Sequence, residues 1–219
     1  MAAYQSVEDL PQLIPVFPLD GAVLLPGGEL PLQIFEPRYL NMVDDAMAGE
    51  RVIGIIQTQG GSRARPRLAA IGGLGRITSY AETSDGRYLI TLTGVCRFEA
   101  GEELDLRMPY RQVRAAYVKF LGDLAEDGEA VEAGEFARAR FGRALKRFLN
   151  RRELDLDWDE AKAAPLEALV NSLCMGLPFA PSEKQALLEA PDLLGRFETL
   201  TTLLEIDSGD NDDGRRSVQ

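Results

Sequence analysis

The stretch Leu30-Pro31-Leu32-Gln33-Ile34-Phe35-Glu36-Pro37-Arg38-Tyr39 joins a predicted β-strand, residues 30–35, to a predicted α-helix. Pro37 suits the first helical position, because a backbone N–H at that position has no partner within the helix. Tyr39, Val43 and Met47 recur every four residues and give the helix one apolar stripe. We therefore predict a helix over Pro37–Ala48, set among strands.

Short strands surround this junction. Residues 13–19 are apolar but contain two prolines, which favours an edge strand or a strand interrupted by bulges. The remaining predicted strands are residues 52–57, 71–80, 88–93, 96–100 and 113–118. Several strands at this spacing favour a small barrel or sandwich, so residues 10–120 are predicted to form a β-rich lobe.

The second half of the chain has helical periodicity. Residues 121–135 are acidic and poor in large apolar side chains, which predicts a linker. Residues 136–207 contain several apolar stripes and predict a helical bundle, and residues 208–219 have the composition of a disordered tail. Ser182 and Gln185 have the spacing of a capping box, so one of these helices is expected to begin near Ser182. The predicted fold class is α+β.

Composition excludes several function classes. The net charge of -11 opposes nucleic-acid binding, and neither a secretory signal nor a membrane-length apolar run is present, so we expect a cytoplasmic protein without nucleic-acid or membrane partners. Histidine is absent, which excludes Ser-His-Asp and Cys-His catalysis and the usual zinc sites. Cys96 and Cys174 stand among apolar residues, which favours buried, reduced thiols.

Two patterns resemble functional motifs and have simpler explanations. Gly72-Gly73-Leu74-Gly75 lacks the complete spacing of a dinucleotide-binding loop and precedes a strand, so we expect a bulged strand and no cofactor. The cations Arg138, Arg140, Arg143, Lys146, Arg147, Arg151 and Arg152 cluster on and just after one helix. Without interleaved aromatic residues they indicate a solvated helix face rather than an RNA-binding one.

The chain resembles the Lon protease N-terminal domain family, the substrate-binding domain of these enzymes. The segments that carry the resemblance, in family order, are residues 14–19, 30–39, 71–77, 85–88, 94–98, 109–110 and 183–189. The resemblance implies a PUA-like pseudo-barrel lobe followed by a helical bundle. It also implies binding of damaged or unfolded substrates. The family's ATPase and protease domains are not represented, since no phosphate-binding Gly-Lys-Ser/Thr loop follows.

The resemblance implies a bacterial, non-catalytic module that binds unfolded client polypeptides in protein quality control, in cooperation with a separate protease or chaperone. Two alternatives remain: an enzyme or small-molecule binder with a pocket between the lobes, and a structural partner of an oligomeric protease. No convergent set of carboxylates, cysteines or phosphate-binding loops favours the enzyme.

Three charged residues are candidates for substrate binding: Glu36, Arg38 and Arg97. Glu36 precedes the first helical turn, where a carboxylate is favoured by the helix dipole. For Arg38 we expect a structural role, in an ion pair buried within the lobe. Arg97 follows Gly94, a predicted bend, and either satisfies carbonyl groups between strands or faces a groove.

Overall fold

A computed structural model describes residues 4, 6–62, 66–104, 107–124 and 133–209. The chain divides into two compact units. The first comprises Met1–Glu126 and Met175–Glu189, and the second comprises Asp127–Cys174 and Ala190–Gln219. Most of the predicted linker and almost all of the predicted tail lie outside the described residues.

The first unit is built on six strands. They are β1 (Leu13–Pro18), β2 (Glu29–Ile34), β3 (Val52–Gly61), β4 (Pro66–Glu82), β5 (Tyr88–Leu104) and β6 (Arg111–Ala116). Their order is β2-β5-β4-β3-β1-β6, and β6 pairs back onto β5, so five strands close into a barrel. The β1–β3 pair is parallel and the other pairs are antiparallel. The predicted α+β fold with a β-rich pseudo-barrel is confirmed.

A three-stranded extension continues from the barrel. It consists of β2, residues 88–93 of β5 and residues 77–82 of β4, and we call it the arm. Helix α1 (Pro37–Ala48) begins and ends as predicted. Its buried residues Met42 and Val43 share a core cluster with Ile90 and Leu92 of the arm. A second cluster, which includes Ile14, Leu74 and Phe98, fills the barrel.

The predicted strands 88–93 and 96–100 are one strand, β5, and the separation between them is wrong. The register with β4 shifts by one residue between Leu74 and Gly75, so the ladder passes Gly94 through a bulge. Glycine is required there, because a Cβ on Gly94 would lie 2.0 Å from the Leu25 carbonyl oxygen. Gly73 is required for the same reason, because a Cβ there would lie 1.9 Å from the Leu24 carbonyl oxygen. Gly73 of β4 and Gly94 of β5 thus admit a crossing loop. The strand predicted at Gly72–Gly75 is confirmed, but the extra residue of the bulge is Val95 of β5 rather than a residue of β4.

Helix α5 (Pro181–Glu189) belongs to the first unit, whereas the sequence assigned it to the helical lobe. Buried amides hold it against the barrel. Gln57 donates from Nε2 to the Pro181 carbonyl at 2.9 Å and to Gln185 Oε1 at 3.1 Å. Gln185 donates in turn to the Ile71 carbonyl at 3.1 Å. Polar side chains, which sequence patterns place at the surface, therefore decide where this helix lies.

The second unit is helical. It contains α2 (Glu135–Arg152), α3 (Trp158–Ala163), most of α4 (Leu166–Gly176) and α6 (Leu193–Gly209). The rings of Phe141 and Phe197 lie 4.9 Å apart between α2 and α6. Arg140 of α2 donates to Glu205 of α6 at 2.8 Å, and Asp207 pairs with Arg152 of α2. Part of the predicted cationic cluster thus makes ion pairs within the unit.

Candidate functional site

The start of α1 carries two of the three predicted site residues. Arg38 donates from Nη2 and Nε to Glu36 Oε2, at 2.7 and 3.0 Å. The Arg38 guanidinium also lies over the Tyr39 ring, 4.5 Å from its centroid. Both partners of the ion pair are near half exposure, with 53% of the Arg38 side chain and 43% of the Glu36 side chain accessible. The expected burial of the Arg38 ion pair is therefore wrong, because the partner is a neighbour on the same surface turn.

The same turn carries one exposed aromatic side chain, next to a buried one. Phe35 is 63% exposed. The next aromatic residue, Tyr39, is buried and contacts Phe17 with ring centroids 4.3 Å apart. Burial raises the pKa of the Tyr39 hydroxyl. A turn with an exposed aromatic ring and an adjacent ion pair can contact both apolar and polar groups of a partner.

A second aromatic pair lies on the arm. The rings of Tyr80 and Tyr88 are 5.1 Å apart, and Tyr80 is 39% exposed. A hydrogen bond to Asp44 of α1 raises the pKa of the Tyr88 hydroxyl. Because Ile34 pairs with Tyr88, the arm brings the end of β2, which leads to Phe35, beside this tyrosine pair. The surface that contains Phe35, Glu36, Arg38, Tyr80 and Tyr88 is called the arm surface below.

The third predicted site residue, Arg97, is 2% exposed. Its Nε and Nη2 donate to the two carboxylate oxygens of Asp123, both at 2.8 Å, and its Nη1 donates to the Leu188 carbonyl at 3.1 Å. The guanidinium also lies 4.2 Å from the centroid of Phe120. Arg97 thus joins β5 to α5 and to the 3-10 segment Val118–Leu124, and it does not lie with Glu36 and Arg38.

Sequence reasoning did not identify the partners of Arg97. Asp123 was grouped with the acidic linker, where it has no distinguishing pattern. The Ser182–Gln185 capping box is also wrong: Glu183 accepts from the Ala180 N–H at 2.7 Å, and Gln185 is buried in the amide contacts of α5. Pro181 is the first residue of α5, so Ala180 precedes the helix and Glu183 is its third residue. The preference of proline for the first helical position is the local signal that separates the two roles.

The barrel cleft, the potential metal ligands and the two cysteines are weaker candidates for a functional site. A cleft of about 440 Å³ lies at one side of the barrel, but its Arg111 is bonded to Glu103 at 2.8 Å and to the Pro66 carbonyl. No group of three potential metal ligands occurs in the described part of the chain. Cys96 and Cys174 are buried, as expected, and burial raises the pKa of the Cys96 thiol to about 12. Among the described helices, none has the length and apolar character needed to cross a membrane.

Comparison with known families assigns the chain. The model of the ATP-dependent protease La (LON) substrate-binding domain matches residues 13–205. The chain belongs to this family. The match includes both units, and it confirms the family predicted from the segments between residues 14 and 189.

Full-length relatives place this Lon-type domain in a larger context. Lon protease 2 of Myxococcus xanthus is 28% identical over 209 residues, which cover 90% of this chain and 24% of that protein. Lon protease of Roseiflexus castenholzii is 27% identical, over 92% of this chain and 25% of that protein. The chain therefore spans about a quarter of the length of these curated relatives, in the part that the substrate-binding domain occupies.

Solved structures confirm the Lon-type fold. A Lon N-terminal domain protein from Xanthomonas campestris superposes with a TM-score of 0.63 at 22% identity, covering 87% of this chain and 97% of that one. The N-terminal domain of Lon protease from the Mycobacterium avium complex has a TM-score of 0.61 at 20% identity, covering 88% and 98%.

Proposed function

We propose that this protein is a non-catalytic polypeptide-binding module that recognises unfolded or exposed segments of client proteins in protein quality control. The observation that carries the proposal is the match to the Lon substrate-binding domain over residues 13–205. The relatives of this chain are Lon proteases, so a separate protease or chaperone is the proposed second partner. Two buried, unbridged thiols support a reducing compartment, the cytoplasm.

The arm surface is the proposed binding surface. Phe35 offers an exposed apolar ring, and apolar residues are what an unfolded client exposes and a folded protein buries. The Glu36–Arg38 pair beside it retains hydrogen-bonding capacity for a client backbone or polar side chain, since both partners remain accessible. Arg97 is left out of the proposed contact surface because its guanidinium is buried and bonded to Asp123 and Leu188.

The test is a binding titration with reduced, carboxymethylated lysozyme, a permanently unfolded protein, alongside native lysozyme. We expect the unfolded form to bind and the native form to bind at least tenfold more weakly. Phe35→Ser and Arg38→Ala should each weaken binding several-fold, because the first removes the exposed ring and the second removes a charged donor. Thermal melts of the same samples show whether each variant remains folded.

A matched control is Lys119→Ala. Lys119 makes an exposed ion pair with Glu99 in the same unit, with 55% of its side chain accessible, so it resembles Arg38 in exposure and charge. Its removal should leave client binding unchanged. Equal losses in Arg38→Ala and Lys119→Ala would show a general charge effect, and absence of any binding to the unfolded form would refute the proposed function.

A further inference from the structure

The arm has two strand edges. In the described part of the chain β2 pairs with β5 alone, and the pairing of β3 with β4 ends at Arg76. Residues 78–82 of β4 are therefore paired on the β5 side only, and all five residues are exposed to solvent. An uncovered strand edge offers N–H and C=O groups to an added strand.

The hydrogen bonds identify which groups point outward. Thr78 Oγ1 donates to the Thr91 carbonyl at 3.3 Å, so that carbonyl points toward β4. The N–H and C=O of one residue point to the same side of a strand, and successive residues alternate. Ile90 therefore turns its groups toward β2. Tyr80, which lies opposite Ile90, turns its own N–H and C=O away from β5 and into the open edge.

The β2 edge is protected against an added strand. Pro31 and Glu29 lie opposite Thr91 and Thr93, so by the same alternation their backbone groups point outward. Proline supplies no donor at the centre of this edge, and proline and charged residues are the devices that keep strand edges from pairing. Residues 78–81 of β4 contain neither, and the charged residue Glu82 lies at the end of the segment, so the outward N–H and C=O of Tyr80 at its centre remain available.

We propose that residues 78–82 of β4 bind a client segment as an added β-strand, and that the preferred segment alternates apolar and basic side chains. This inference rests on the proposed polypeptide-binding function and specifies its mode. In strand addition the backbone hydrogen bonds supply affinity, and the side chains on each face select the sequence.

The surroundings of the edge determine this preference. Leu89 lies opposite Ala81 and is 45% exposed, so the face of the arm that points away from α1 offers an apolar contact. Tyr80, Glu82 and Tyr88 share the opposite face, where Asp44 is bonded to Tyr88 and the exposed Glu82 adds a second carboxylate, so this face of the edge is acidic. Arg51 lies at the other end of the edge, where the pairing of β3 with β4 stops and the Arg51 carbonyl accepts the Ile77 N–H. The net charge of -11 attracts a basic segment and opposes pairing with a second copy of the chain.

The experiment uses fluorescence anisotropy with a labelled ten-residue peptide of alternating Val and Lys. A second peptide has its four central amides N-methylated, which removes the backbone donors and leaves the side chains unchanged, and a third has Glu in place of Lys. We expect the first peptide to bind and the other two to bind at least tenfold more weakly. The N-methylated peptide tests the mode on the unaltered protein.

Three variants locate the edge. Tyr80→Pro removes the outward N–H and should reduce binding at least tenfold, while Tyr80→Ala retains the N–H and should reduce it only a few-fold. Gln33→Pro introduces the same change at an outward position of the β2 edge and should leave binding unchanged. Thermal melts verify folding of each variant.

Failure of this inference is distinguishable from failure of the proposed function. Equal binding of the N-methylated peptide, or equal losses in Tyr80→Pro and Gln33→Pro, would overturn strand addition at β4 while polypeptide binding stands. If carboxymethylated lysozyme binds and the Val-Lys peptide does not, the inference also fails and the function remains. Concentration-dependent dimerisation that Tyr80→Pro abolishes would show that a second copy occupies the edge, contrary to the inference.

Discussion

The regions around Arg97 and Arg38 contain the same kind of ion pair in opposite environments. Arg97 is 2% exposed and joins three segments of the first unit through Asp123 and the Leu188 carbonyl. Arg38 is about half exposed and pairs with Glu36, two residues away. Removing one member of a buried pair leaves a charge without water, whereas an exposed charge is solvated by water. The first arginine therefore holds the scaffold, and the second is available to a partner.

The largest expected effect is that of Arg97→Ala. The substitution leaves the Asp123 carboxylate in a buried position without its cation, so the free energy of unfolding should fall by about 3–5 kcal/mol. Chemical denaturation measures this loss. The double variant Arg97→Met with Asp123→Leu should recover much of it, because no charge is then buried. A loss under about 1 kcal/mol in the single variant would contradict the scaffold role.

Gln185→Ala should have the next largest effect. It removes the donor to the Ile71 carbonyl and the acceptor of Gln57, which leaves buried polar groups unpaired at a cost of about 1–3 kcal/mol. Urea denaturation compares this variant with Ser182→Ala. Ser182 is exposed and makes no cap there, so its substitution should cost less than about 0.5 kcal/mol. A larger loss of stability in Ser182→Ala than in Gln185→Ala would instead support the predicted capping box.

Arg38→Ala should change stability little. Exposed ion pairs contribute about 0–1 kcal/mol, so the melting temperature should stay within a few degrees of that of the unaltered protein. The measurement is a thermal melt, run beside Arg97→Ala under the same conditions. If the two variants lose comparable stability, the contrast between the two regions does not hold.

The smallest expected effect concerns Glu205 in the helical unit. A hydrogen bond from Arg140, followed by its positive charge, lowers the pKa of the Glu205 carboxyl. A carboxyl with a lowered pKa in the folded state contributes stability above its unfolded pKa, and this contribution disappears as pH falls through the folded pKa. An NMR titration of the Glu205 carboxyl should show the lowered pKa, and Arg140→Ala should return it toward the ordinary range. An unchanged pKa would show that the ion pair does not persist in solution.

Sequence patterns predicted most of the elements. Helix α1 follows from Pro37 and the stripe of Tyr39, Val43 and Met47, and its bounds are confirmed. The strand containing Gly73 also follows, although the reason for its glycines does not, because the loop that crosses them at Leu24 and Leu25 is remote in sequence. The domain boundaries at residues 10–120 and 136–207 stay a prediction. Helix α5 was predicted in the helical lobe, whereas it belongs to the first unit.

The predicted binding residues divide by environment. Glu36 and Arg38 lie together because only Pro37 separates them and Glu36 precedes the helix, so the Arg38 side chain can reach back to its carboxylate. Arg97 is separated from them because its partners, Asp123 and Leu188, lie 26 and 91 residues away. An arginine has the same sequence signature whether its ion pair is exposed, as for Arg38, or buried, as for Arg97.

The sequence by itself determined the family, the α+β class and the periodic elements, since apolar spacing and turn residues act locally along the chain. The tertiary structure alone decided that Arg97, Gln57 and Gln185 are buried, that Arg38 is exposed, and that residues 78–82 of β4 pair only with β5 within the described part of the chain. The physical reason is that burial of a polar group depends on whether distant groups satisfy its hydrogen bonds, and those partners are brought together only by folding.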